Sequence, residues 1–124
     1  MFGISIEENV GQDSFEYLIA DLYNPTMEVP EGYVIKTVPA STWAVFSCDG
    51  PLPGALQDVN AKIFSEWLPA LKEYEFAEGY NVEMYDEPNK YPNGTQDENY
   101  HSEIWIPIKK NLLSWRKNKW ISEL

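Results

Sequence analysis

The sequence predicts an α+β domain built on an antiparallel sheet, and three observations lead there. Extended patterns, alternating or rich in β-branched and aromatic residues, recur along the chain with Gly-, Pro- and Asn-bearing turns between them. One stretch, opening at Pro53, switches to helical spacing. After it the chain returns to extended patterns, so its second half reads strand, helix, strand, strand.

The segment FGISI at 2–6 alternates, ENVGQDS supplies turn residues, and FEYLIADLY at 15–23 resumes an extended pattern, which together make a hairpin. Beyond the loop NPTMEVPEG, residues 33–50 are β-branched and aromatic but broken at Pro39, whose missing N–H suits an edge or a bulge. Strands are expected near 33–38 and 42–48. From Pro53 onward, Leu56, Val59, Ile63, Phe64, Trp67, Leu68 and Leu71 fall on one helical stripe, with Asp58, Lys62 and Glu66 opposite. Phe64, on that inward stripe, is expected in the core, and Pro69 removes a hydrogen bond from the last turn. YNVEMYDE at 80–87 is extended again, DEPNKYPNGTQDEN is a polar loop with a turn at Asn93-Gly94-Thr95, and the last strand covers 100–108. SFEYLIA at 14–20 and SEIWIP at 102–107 each set a Glu ahead of an apolar run, a weak internal repeat.

At 124 residues and 44% hydrophobic content the chain has room for one domain with a real core. Its five Trp and eight Tyr are more flat, partly polar surface than such a core needs, so some rings are expected to line a cavity. The formal net charge of -11 repels phosphate backbones and anionic headgroups, so neither direct nucleic-acid binding nor membrane binding is expected. The charge is uneven: residues 1–108 hold four Lys against 19 Asp and Glu, while 109–124 hold five Lys and Arg against one Glu. A single cysteine, Cys48, excludes an internal disulfide, and no apolar run approaches a membrane span or a secretory h-region, which makes the cytoplasm the expected compartment. There is no Cys/His cluster at metal spacing, no glycine-rich phosphate loop and no GxSxG elbow, so no metal or cofactor is expected. The acidic pairs Asp86-Glu87 and Asp97-Glu98 lack the oxygen-ligand spacing of a calcium loop and are expected to be solvated.

The chemistry gathers in YHSEIWIPIKK at 100–110. Ile104, Ile106 and Ile108 share one strand parity and suit the helix; His101, Glu103, Trp105 and Pro107 share the other and face away from it. Burying an unpaired carboxylate costs several kcal/mol at about the scale of a desolvated charge, so Glu103 calls for a partner or a pocket. A carboxylate beside an indole suits lipophilic cations, since the ring stacks and attracts the cation while the carboxylate offsets its charge. His101 shares that parity, but a lone histidine near a strand start reads as a surface residue.

Taken in order, FGIS (2–5), FEYLIA (15–20), VPASTWAVFSCDG (38–50), EWLPALKEYEF (66–76), VEMY (82–85) and EIWIPIKK (103–110) resemble the gyrase-inhibitor-like (GyrI-like) small-molecule-binding domain. That domain also serves as the effector-binding domain of AraC-type and multidrug-responsive MerR-type transcription regulators. The resemblance covers about residues 1–110 and implies two pseudo-symmetric strand-helix-strand-strand (SHS2-like) modules with a ligand groove between them. The family's last-strand glutamate maps onto Glu103, with Tyr85 and Trp105 as its most direct aromatic companions, Trp67 and Phe46 as further ones, and Tyr17 completing the wall from the other module. Against the family pattern the first strand and helix of the first module are absent, and NLLSWRKNKWISEL at 111–124 is extra. That tail reads as a basic amphipathic helix expected to cover the surface left bare, in the same chain or across a homodimer.

The expected function is therefore binding of small lipophilic cationic or aromatic compounds, in drug sensing or sequestration. Two rivals follow from the same resemblance: hydrolysis of small reactive compounds with the glutamate as general base, and docking of the acidic body on a basic protein such as gyrase.

Overall fold

The computed structural model describes residues 1–6, 16–77 and 79–111, so the C-terminal tail expected to be helical lies outside the described residues. Strands β1 (Phe2–Ile6) and β2 (Glu16–Ala20) form the first hairpin, with Ile4 opposite Leu18. Strand β3 (Thr42–Ser47) leads to helix α1 (Gly54–Lys62), which continues through a π-helical turn at Ile63–Trp67 into a last α turn at Leu68–Ala70. Strands β4 (Tyr74–Phe76), β5 (Tyr80–Tyr85) and β6 (Ser102–Lys110) complete a six-stranded antiparallel sheet in the order β2-β1-β5-β6-β3. Strand β4 pairs with β6 along the same edge as β5, opposite Ile108. The fold class is α+β, and β3, α1, β5 and β6 supply the expected strand-helix-strand-strand unit.

The helix has no side-chain cap; the carbonyls of Pro51 and Pro53 instead accept from Ala55 and Gln57. Near its end, the Leu68 N–H reaches back five residues to Ile63. Pro69 offers no N–H at all, so the α pattern cannot run straight through this turn, and the wider π turn stands where the sequence predicted a disturbed end.

Directly opposed residues in an antiparallel pair share a face, which divides the sheet into two chemically different surfaces. On the helix side, Ile104 and Ile106 are buried against Ile63 and Cys48, with Phe46, Leu56, Val59, Trp67, Leu68, Phe76 and Ile108 packed around them. Each such isoleucine is worth about 1.5–3 kcal/mol of transfer free energy. Phe64 is the exception on the predicted stripe: it remains 44% exposed, with the Phe76 ring edge to face at 6.5 Å. The Cys48 thiol is 1% exposed and burial pushes it up to about 11. It should therefore stay unreactive toward a thiol reagent such as dithionitrobenzoate at pH 8 in the native protein and react in full on addition of denaturant; fast native labelling would contradict the packing.

Two further expectations are corrected. Residues 33–38 form no strand: Tyr33 and Val34 are 72% and 75% exposed, because a β-branched run is stable as a strand only when another strand takes its N–H and C=O groups. Asp97 is not solvated but 6% exposed, its carboxylate accepting the backbone N–H groups of Asn93 at 3.2 Å and Asn99 at 2.9 Å. It ties down the polar loop, helped by Gly94 at φ 58° and by the Tyr100 hydroxyl, which donates to the Asp86 carbonyl at 2.7 Å.

Candidate functional site

Strand β5 places Asn81, Glu83 and Tyr85 on the helix-side face, and Gly3 of β1 lies directly across from Glu83. Tyr17 sits one strand further out, opposite Ser5. Because Gly3 has no side chain, the Tyr17 ring crosses β1 diagonally and its hydroxyl donates to Glu83 Oε2 at 3.3 Å. Tyr85 donates to the same oxygen. Burial, followed by the adjacent Glu83 charge, raises the Tyr17 phenol; burial and its hydrogen bond to Glu83 raise that of Tyr85. Among the described residues no ion pair involves Glu83.

A Cβ on Gly3 would stand 2.1 Å from the Tyr17 hydroxyl oxygen, so one of the two must move. The hydroxyl end of a flexible side chain is the part that yields. Gly3→Ala should therefore change stability by less than about 1 kcal/mol while swinging Tyr17 off Glu83. The check is ring-labelled tyrosine NMR across a pH titration, in which the Tyr17 phenol should move back toward its ordinary value. An unmoved Tyr17 resonance would mean that the ring does not depend on the glycine.

On the opposite face the odd-numbered residues of β6 form a second group. Glu103 Oε1 accepts the indole N–H of Trp105 at 2.9 Å, and Glu103 Oε2 lies 2.8 Å from His101 Nε2. The other ring nitrogen of His101, Nδ1, is 2.6 Å from Asp49, just past β3. Trp105 is flanked by Phe2 at 5.9 Å and Trp43 at 6.2 Å. Hydrogen bonds to both carboxylates, Asp49 first, hold the His101 imidazole above its ordinary value. Glu103 is thus half-buried with both oxygens engaged.

The six residues singled out in the sequence consequently fall into three places. Tyr17 and Tyr85 meet at Glu83, on the helix side. Phe46 and Trp67 stack edge to face at 4.8 Å beside the end of the helix and, with Val59, Lys62, Ile63, Glu66 and Ala70, line an open recess of about 410 Å3. Glu103 and Trp105 lie side by side across the sheet, facing away from the helix as their parity required. What sequence reasoning missed is Glu83 itself, together with the pairing of His101 to Asp49. The signal for Glu83 was available in YNVEMY, where a carboxylate interrupts an extended run on the parity of Tyr85.

The single described helix packs against Ile104 and Ile106 of β6 and Phe46 of β3, and partly exposed rings and carboxylates stand elsewhere on the sheet. The chain belongs to the Cass2 family, integron-associated effector binding protein, whose family model matches residues 1–108. This is a GyrI-like effector-binding family, and membership supports small-molecule binding as the general role. A comparison with curated proteins gives no match. No helix among the described residues is long and apolar enough to cross a membrane.

Proposed function

We propose that the protein is an effector-binding module for small lipophilic cations and aromatic compounds, with Glu83 as the counter-charge and Tyr17 and Tyr85 as its walls. The observation that carries this reading is a half-buried carboxylate with two phenol donors on one oxygen and no cationic side chain paired to it among the described residues. A carboxylate in that setting attracts a cation stripped of water. Rings without a fixed hydrogen-bond requirement toward the guest favour breadth over tight discrimination. Phe46 and Trp67 extend the apolar surface along the same sheet face, and Glu103 with Trp105 offers a second carboxylate on the other. The wider role is effector sensing or sequestration of such compounds, coupled to transcription regulation.

The test is isothermal titration with phenyltrimethylammonium beside the neutral, isosteric tert-butylbenzene. The cation should bind more tightly by about tenfold, the scale of 1.4 kcal/mol of charge matching. Equal affinities, or binding of neither compound, would remove the basis for this reading.

A further inference from the structure

His101 stands between two carboxylates, and its ring geometry constrains its charge. An ionised carboxylate only accepts hydrogen bonds, whereas a neutral imidazole carries one N–H and one bare lone pair. With Nδ1 at 2.6 Å from Asp49 and Nε2 at 2.8 Å from Glu103, only the doubly protonated ring gives each oxygen a proton. A neutral ring would set a lone pair against one of them. Among the described residues, the charges acting on the ring are those of Asp49 and Glu103. The Asp86 backbone N–H donates to the His101 carbonyl at 3.2 Å, while the Asp86 carboxylate is itself held by Tyr91 at 2.7 Å and Lys90 at 3.3 Å. Met84, across from Glu103, is uncharged, and Glu83 is on the opposite face.

Beside this clamp lies a surface suited to an organic cation: the Trp105 indole, flanked by Phe2 and Trp43, with Glu103 tethered to Trp105 Nε1. The imidazolium occupies the charge such a cation would use. We propose that His101 is a proton-operated gate on this face: protonated, it locks Glu103 to Asp49 and excludes organic cations, and deprotonated, it leaves Glu103 free to pair with one. The raised position of the imidazole gives the direction: the gate is shut below that value and opens as pH rises through it. Proton and organic cation are then competitors, so by linkage each must weaken the other. This inference does not depend on the Glu83 site.

The chain has one histidine, which makes its ring resonances unambiguous in NMR. Titration of the wild-type imidazole should place its pKa above the ordinary 6.5 or so. Saturating phenyltrimethylammonium, whose fixed charge cannot itself titrate, should lower that pKa by about one unit, the equivalent of a tenfold preference for the neutral form. The decrease should persist in Glu83→Gln and vanish in Glu103→Gln. An imidazole that titrates at or below its ordinary value overturns the clamp. A pKa unmoved by the cation overturns the competition, whether the cation sits elsewhere or does not bind.

Discussion

Glu83→Gln should weaken binding of an organic cation by about 10- to 100-fold while leaving a neutral aromatic of the same shape within about twofold, because a charge-assisted contact is worth about 1.5–3 kcal/mol and each 1.4 kcal/mol is a decade. Glutamine keeps the shape and an oxygen that can still accept from Tyr17 and Tyr85, so the change isolates the charge. Glu103→Gln is the matched control at a pH below the His101 pKa, where the imidazolium keeps the carboxylate it removes engaged. Titration calorimetry of both variants with both ligands reads the outcome directly. Equal losses for the cation and the neutral compound in Glu83→Gln would mean that packing rather than charge holds the guest. A loss confined to Glu103→Gln would move the counter-charge to the other face.

The largest effect on stability is expected at Ile106→Ala. Ile106 is 1% exposed, and its partner across β3 is the small Ala44, so the helix residues packed above it cannot readily close the space left behind. Buried Ile→Ala changes cost about 2–5 kcal/mol from lost transfer energy and the residual cavity, against a total stability of about 5–15 kcal/mol for an ordinary domain. Urea unfolding should show a lower midpoint with an unchanged slope. Phe64→Ala, which removes a larger side chain from a more exposed position, should cost clearly less. The reverse ranking would mean that the helix packs on the sheet by its other face.

These two residues also mark what could be read in advance. The isoleucines of the last strand and Ile63 were legible because period 2 and period 3.6 patterns each predict one inward face, and here the two faces meet. The hairpin 2–20 was legible from its turn residues, and its second strand proved shorter than the extended pattern. Strand β4 was not legible, since three residues are too few to show a period. The run at 33–38 misled because composition reports fitness for a sheet but not the presence of a neighbour. Parity correctly turned Glu103 and Trp105 away from the helix, yet it does not report what stands across a strand pair. Gly3 is 80 positions from Glu83, and only the register that aligns them reveals why Tyr17 can reach the carboxylate.

The π turn at Ile63–Trp67 has a consequence for how this helix tolerates change in length. A turn closed five residues back holds one residue more than a turn closed four back, and the surplus is absorbed locally, without rotating the segments on either side. Deleting the solvent-facing Ser65 would let the turn tighten while Ile63 still points to the sheet and Trp67 still meets Phe46. The same deletion within Gly54–Lys62, where every residue is needed to keep phase, would turn all that follows by about 100°. Variants one residue shorter should accordingly survive at this turn and fail upstream of it.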